Sequence, residues 1–141
     1  MKKIVPISLF SQYTPYLCEW SEGHLCRATI DYIRSSDSDD AIGYALHLSE
    51  GPVSISIASK IWPYAVIATH PAHRGFGYAE KVLRQTINHF SLMDKTYSTW
   101  VASDNTSSVS LLERCGLRRV AQEVKTREST GRYIAYRYSS K

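Results

Sequence analysis

The chain has 141 residues, 43% apolar and 21% charged, with a formal net charge of +4. That length suits one compact domain spanning residues 1–141, against roughly 100–200 residues per domain, and a fold of this size buries about 68–70% of the surface its unfolded chain exposes. A disordered tail, a collagen-like chain and a disulfide miniprotein are excluded, and no run approaches the ~18 apolar residues that span a bilayer.

Residues 3–9 read as a short strand, and residues 10–34 as helix in two pieces broken near Ser21-Glu22-Gly23. The polar loop Ser35–Asp40 leads to Ala41–Leu48 and Val53–Ser59, which flank the turn chemistry of Ser49-Glu50-Gly51-Pro52. Val53, Ile55 and Ile57 alternate with serines, the period of a half-buried strand. Tyr64–Thr69 is short and nearly continuous in apolar character, as expected of a central strand buried on both faces. From about Gly77, the residues Ala79, Val82, Leu83, Thr86, Ile87 and Phe90 recur at helical spacing. Tyr97–Ala102 is a further strand. A helix from near Asn105 to Cys115 follows, carrying Ser108, Leu111, Leu112 and Cys115 on one face. Gly116 stands where a helix end favours a left-handed residue. Two last strands, about 118–126 and 132–138, are joined through Ser129-Thr130-Gly131. The order β-α-α-β-β-β-α-β-α-β-β gives an α/β or α+β sheet with helices on its faces.

Charge is spread unevenly along this order. Residues 1–70 hold five Lys/Arg and seven Asp/Glu, whereas residues 71–141 hold twelve and six. A basic half suits an anionic partner such as a nucleotide, a nucleic acid or a cofactor's phosphates, with a solvated basic surface as the plain alternative. Cys18, Cys26 and Cys115 match no zinc or redox spacing, and burial as small hydrophobes is expected for at least two of them. The start, Lys2-Lys3 followed by a short run that Pro6 interrupts, lacks the length and cleavage site of a signal peptide. The expectation is a cytoplasmic protein, with no membrane partner and no metal.

The sharpest feature is Arg74-Gly75-Phe76-Gly77-Tyr78-Ala79, between a buried strand and an amphipathic helix. Two close glycines let successive N–H groups converge on one concavity. The helix behind adds its unpaired first-turn donors and the positive end of its dipole. Such a cradle suits a phosphate or pyrophosphate, with Arg74 adding positive charge. It is not the dinucleotide fingerprint, because position 80 is Glu, nor a P-loop, because Gly-Lys-Ser/Thr is absent. Taken alone, a Gly-x-Gly also serves as a plain strand-to-helix turn.

The stretch Thr69–Ala79 resembles the coenzyme A signature of the GNAT acetyltransferases, Arg/Gln-x-x-Gly-x-Gly/Ala, met here by Arg74, Gly77 and Ala79. A second block, Asn105-x-x-Ser108-x-x-Leu111-Leu112-Glu113-Arg114-Cys115-Gly116-Leu117, is similar to the family's Asn-x-x-Ala/Ser-x-x-Leu-Tyr-x-Lys-x-Gly-Phe helix. Close matching covers residues 64–120. The resemblance implies a central, mixed but mostly antiparallel sheet whose fourth and fifth strands splay apart, with helices on both faces. It implies acetyl-coenzyme A as donor, its pantetheine arm paired with the backbone of Ile67 and Thr69 on the strand that includes Ala68. Its pyrophosphate would lie on residues Gly75, Phe76, Gly77, Tyr78 and Ala79, with Arg74 beside them, and Asn105 would face the cofactor. The implied reaction is direct transfer to a primary amine, a backbone N–H of the fourth strand stabilising the developing oxyanion.

One departure matters. The family's usual proton donor, a Tyr, is replaced here by Leu112, which cannot donate. Cys115 and Ser108 share its helical face, and Tyr64 stands where many members carry the base; for each of the three, plain packing is the alternative reading. His47, Glu50, His70 and His73 are weaker candidates. The acidic loop Asp37, Asp39 and Asp40 falls on the family's acceptor side, which suits a cationic small-molecule or peptide amine. Competing readings are a coenzyme A-dependent regulatory or partner-binding module, motivated by Leu112, and a nucleic-acid or charged-tRNA surface on the basic half. Homodimerisation stays open.

Overall fold

A computed structural model describes residues 2–21, 27–37, 39–61, 63–127 and 131–141. The expected break at Glu22-Gly23, Cys26, Trp62 and the turn residues Ser129-Thr130 lie outside them. Strand β1 is Lys3–Pro6, and a 3-10 turn at Phe10–Gln12 leads into α1, Thr14–Trp20, and α2, Arg27–Ser35. Strands β2 (Ala41–Leu48), β3 (Gly51–Ser59) and β4 (Ala65–Thr69) follow. A second 3-10 turn, Pro71–His73, precedes α3, Tyr78–Leu92. Then come β5 (Ser98–Ala102), α4 (Thr106–Arg114), β6 (Arg118–Arg127) and β7 (Gly131–Ser139), in the order expected from the sequence.

The strands form two antiparallel sheets, ordered β1-β2-β3-β4 and β5-β7-β6. Strands β4 and β5 are joined by the α3 crossover but share no ladder, so the splay implied by the resemblance is present. Packing beneath the gap holds the halves together. Ile42 and Ala58 of the first sheet and Tyr138 of the second join Leu83, Phe90, Leu111 and Leu112 in one buried cluster under α3 and α4. The opposite face of the first sheet buries Ala45, Ile55, Ile57, Val66 and Ala68 against Leu17, Trp20 and Ile33 of α1 and α2.

Two expectations about burial are corrected. β3 is buried from Val53 through Ser59 rather than on one face, because helices cover both sides of it. Its serines are tolerated because each finds a hydroxyl: Ser54 Oγ pairs with Thr69 Oγ1 at 2.9 Å, and Ser56 Oγ accepts from Thr86 Oγ1 at 3.0 Å. β4, expected to be central and doubly buried, is instead the edge of its sheet, with Val66 and Ala68 buried and Ala65, Ile67 and Thr69 only partly so. The β2–β3 turn is also tighter than expected. Gly51 and Pro52 belong to β3, leaving Ser49-Glu50 as the turn, and a register shift at Leu46/His47 accommodates Pro52.

An ion cluster fastens α3 to α4. Glu80 accepts from Arg84 Nε and from Arg114 Nε, both at 3.1 Å, while Arg84 Nη2 donates to the Arg114 carbonyl at 2.8 Å. The Arg114 hydrogen bond, then that from Arg84, holds the Glu80 carboxyl below the usual glutamate range. A group depressed in this way stabilises the fold above its unfolded pKa, about 4.3 for Glu, and loses that contribution as pH falls through its folded value. The stability gap between wild type and Glu80→Gln is therefore expected at neutral pH and should close below about pH 4.3. Urea midpoints across that range check it, and a gap unchanged at low pH would count against the clamp. Core tightness gives a second expectation at Gly43. An added Cβ there meets Ile57 Cγ1 and Phe10 Cε1 at 3.0 Å and Ile7 Cδ1 at 3.2 Å, so Gly43→Val should destabilise by about 1–3 kcal/mol or more.

Candidate functional site

Which backbone groups of β4 face the gap follows from its register. Paired residues of an antiparallel ladder alternate between bonded and non-bonded. The His70 N–H donates to the Val53 carbonyl and the Ser59 N–H to the Tyr64 carbonyl, so the even-numbered residues from Tyr64 to His70 turn their amides to β3. The N–H and C=O groups of Ala65, Ile67 and Thr69 consequently line the open edge. Of the expected trio, Ile67 and Thr69 present main chain to the gap, whereas the amide of Ala68 is committed to Ile55. By the same count, Ser140 donating to Tyr97 and Ser103 to Ile134 leave Ser98, Trp100 and Ala102 of β5 facing across.

At the end of β4 the chain turns through Pro71–His73 into the glycine loop. Gly75 and Gly77 have φ of +87° and +79°, the left-handed region that glycine enters without strain. A Cβ at either would meet nothing within 4 Å, so the concavity in front of them is open. Gly77 caps α3 without a side-chain hydrogen bond, which leaves the first-turn N–H groups of Tyr78, Ala79 and Glu80 directed outward. Phe76 is exposed and its ring stacks on Tyr78, the centroids 5.7 Å apart. Arg74 has a role the sequence did not disclose. Its Nε donates to the Thr69 carbonyl at 3.1 Å and its Nη2 to the Trp20 carbonyl at 2.8 Å, tying β4 to the end of α1.

Helix α4 stands on the second sheet's side. Asn105 Oδ1 accepts from the Ser108 N–H at 3.3 Å, so Asn105 is the helix cap. Leu112 is buried in the shared core, Ser108 is half-buried, and Cys115, half-buried at the helix end, packs against the same core cluster. Cys115 is flanked by Glu80, Arg84 and Arg114, and burial raises its thiol above the ordinary value. Buried Tyr97 is pushed up by desolvation and then by Cys115, and its hydroxyl has no hydrogen-bond partner among the described residues.

The remaining candidates are dispersed. Tyr64 is exposed at the start of β4, its ring 5.9 Å from Tyr32, near the loop where Asp40 accepts from the Lys60 N–H. Asp37 is spent on that loop's own turn, its Oδ1 accepting from the Asp39 N–H at 2.9 Å. His47 Nε2 meets the Tyr13 hydroxyl at 3.1 Å, and His70 Nδ1 accepts from the Ala72 N–H at 3.0 Å. Thus β4 carries Tyr64 and the acidic loop at one end and the glycine loop at the other. Basic groups border the far wall, with Lys125 Nζ 4.0 Å from the Trp100 ring centroid.

The geometry has known counterparts. The ribosomal-protein-S18-alanine N-acetyltransferase from Escherichia coli superposes with a TM-score of 0.78 at 18% identity, over 99% of this chain and 92% of that one. The dodecameric spermidine N-acetyltransferase from Vibrio cholerae gives 0.72 at 15% identity, covering 96% of this chain and 92% of that one. Arabidopsis thaliana NAA60, solved with a bisubstrate analogue, gives 0.73 at 11% identity and covers 97% of each chain. At such identities the likeness is one of fold. No curated protein sequence matches significantly. A family model, that of the GNAT acetyltransferases, matches residues 6–117, and with that match over most of its length the chain belongs to the acetyltransferase (GNAT) family.

Proposed function

We propose that the chain acts as a single domain over residues 1–141 and transfers an acetyl group from acetyl-coenzyme A to a primary amine, both substrates bound together. The observation that carries this reading is the open edge of β4 running directly into a left-handed glycine loop at the start of α3. The two parts fit the two parts of the donor. Ile67 and Thr69 offer main-chain groups spaced like a neighbouring strand for the pantetheine amides. The N–H groups of residues 75–79 suit the pyrophosphate, and the space where a Gly77 Cβ would stand is clear for it. Acetyl-coenzyme A, when bound, supplies an acetyl group activated as a thioester.

The chain's own contribution is positioning, which is worth several kcal/mol when reacting groups are held in line. An edge N–H of β4 would stabilise the charge that develops on the carbonyl oxygen of a bound acetyl group. Proton handling differs from the family's usual scheme. Leu112 has no proton to give, Cys115 lies against the Glu80–Arg84–Arg114 cluster, and Ser108 belongs to the capped first turn. Tyr64 is the candidate base, since it stands at the β4 end that also carries Asp39 and Asp40, where an amine would approach. The acceptor is proposed as a small-molecule or peptide amine and the setting as cytoplasmic.

A second reading, a coenzyme A-dependent regulatory module, is favoured by the burial of Leu112 at the proton donor's position. Release of free coenzyme A in a screen of amine classes supports the enzyme. Capture of a stoichiometric partner only with acetyl-coenzyme A, and no release, supports the module.

Calorimetric titration with acetyl-coenzyme A is expected to give micromolar or tighter binding, and well-folded protein that binds none would overturn both readings. Gly77→Asp should abolish binding with the circular dichroism unchanged, because Asp enters positive φ at less strain than most residues yet brings bulk and negative charge into the cradle. Proline substitutions test the strand edge separately. Ile67→Pro removes an outward N–H and should weaken donor binding in a folded protein, whereas Ala68→Pro removes a ladder donor to β3 and should destabilise the fold.

A further inference from the structure

A cavity of about 250 Å³ opens beside the glycine loop but outside the gap between β4 and β5. It lies between α1, the β2–β3 turn and the turn that follows β4, lined by Tyr16, Glu19, Trp20, Glu50, His70 and His73. His70 leaves β4 on the β3 side, where its N–H bonds Val53, so the strand separates this cavity from the gap. It is also remote from Tyr64, since six extended residues span about 20 Å.

The walls have a definite chemistry. Four rings run in series, with centroids 5.4 Å apart for Tyr16–Trp20, 5.8 Å for Trp20–His70 and 5.3 Å for His70–His73. Tyr16 is 37% exposed and presents ring surface, while Trp20 is buried. Glu19 and Glu50 stand on separate elements, and neither carboxylate has an ion-pair or hydrogen-bond partner among the described residues. Among the described residues, no lysine or arginine lines the space. Arg74 adjoins it with its guanidinium turned to the carbonyls of Trp20 and Thr69.

Two carboxylates without a partner among the described residues, lining one cavity with aromatic rings, attract an organic cation, by charge at long range and by the ring quadrupole at contact. We propose that this cavity is a second binding site, for a small alkylammonium or guanidinium compound, and that its occupancy strengthens binding at the glycine loop. The coupling runs through shared parts. Trp20 lines the cavity and lends its carbonyl to Arg74, and His70 and His73 sit on the turn that enters the loop. A ligand that braces this turn lowers the ordering cost left for the loop's own ligand. The coupling half of the proposal rests on acetyl-coenzyme A binding at the loop, and the site itself does not.

Hexamethonium is the probe, because its quaternary nitrogens carry no N–H and cannot be acetylated, which separates this site from an acceptor site. The indole N–H resonance of Trp20, assigned as the one missing from Trp20→Phe, is followed at constant ionic strength. A saturable shift is expected, weakened about tenfold when Glu19→Gln and Glu50→Gln are combined. Acetyl-coenzyme A should bind about fivefold or more tightly with the probe present. An unmoved Trp20 resonance, or a shift the double variant leaves unchanged, overturns the site. Equal acetyl-coenzyme A affinity with and without the probe overturns the coupling. If acetyl-coenzyme A fails to bind at all, the family reading of the loop falls, and the Trp20 titration still decides the cavity.

Discussion

Among the described residues β4 has a hydrogen-bonded neighbour on one side only, and most of the molecule is arranged around that fact. Val66 and Ala68 close the ladder to β3, while Ala65, Ile67 and Thr69 turn their polar main chain the other way. A strand edge left inside a fold is costly unless water or a ligand satisfies it. Here the sheet is not simply interrupted. The core beneath α3 and α4 runs from Ile42 and Ala58 on one side to Tyr138 on the other, so apolar packing does what the missing ladder would have done. The halves stay together below while the edges stay apart above.

Polar contacts then fix the edge in place. Ser54 holds Thr69 from beneath, Arg74 holds the Thr69 carbonyl from the loop side, and the same arginine reaches α1 through Trp20. A residue that motif reading treats as a charge for phosphate therefore also acts as a brace. The two roles are compatible, because a guanidinium offers five N–H donors. Glu80 does similar work at the base of α3, where two arginines from different helices converge on one carboxylate.

Much of this was legible in the chain. The Gly-x-Gly ahead of an amphipathic run marked the left-handed turn, and Asn105 with Gly116 marked the two ends of α4, as the φ of +87° at Gly116 bears out. What was not legible depends on partners distant in sequence. Alternating serines read as a solvated face, yet Ser54 and Ser56 are fully buried because Thr69 and Thr86 arrive opposite them. The apolar run Tyr64–Thr69 read as a central strand because burial under helices looks the same in sequence whether or not a neighbouring strand is present. Arg74 gave no sign of its tie to Trp20, 54 residues away. Nor could sequence bring Glu19, Glu50 and His70 around one cavity, since each belongs to a different element.

A binding edge made of main chain has a consequence for how such a protein can change. The groups that Ile67 and Thr69 turn outward belong to every residue except proline, so their recognition power survives almost any exchange of side chain. Only the packing side of those positions is constrained, and it asks for shape and apolarity rather than identity. The fixed points contract to a few places where backbone conformation itself is at stake, Gly75 and Gly77 among them. A scaffold of this kind can drift until 11–18% of its residues match and still superpose over nearly its whole length. The side chains around the gap are then free to answer to whichever acceptor each lineage meets.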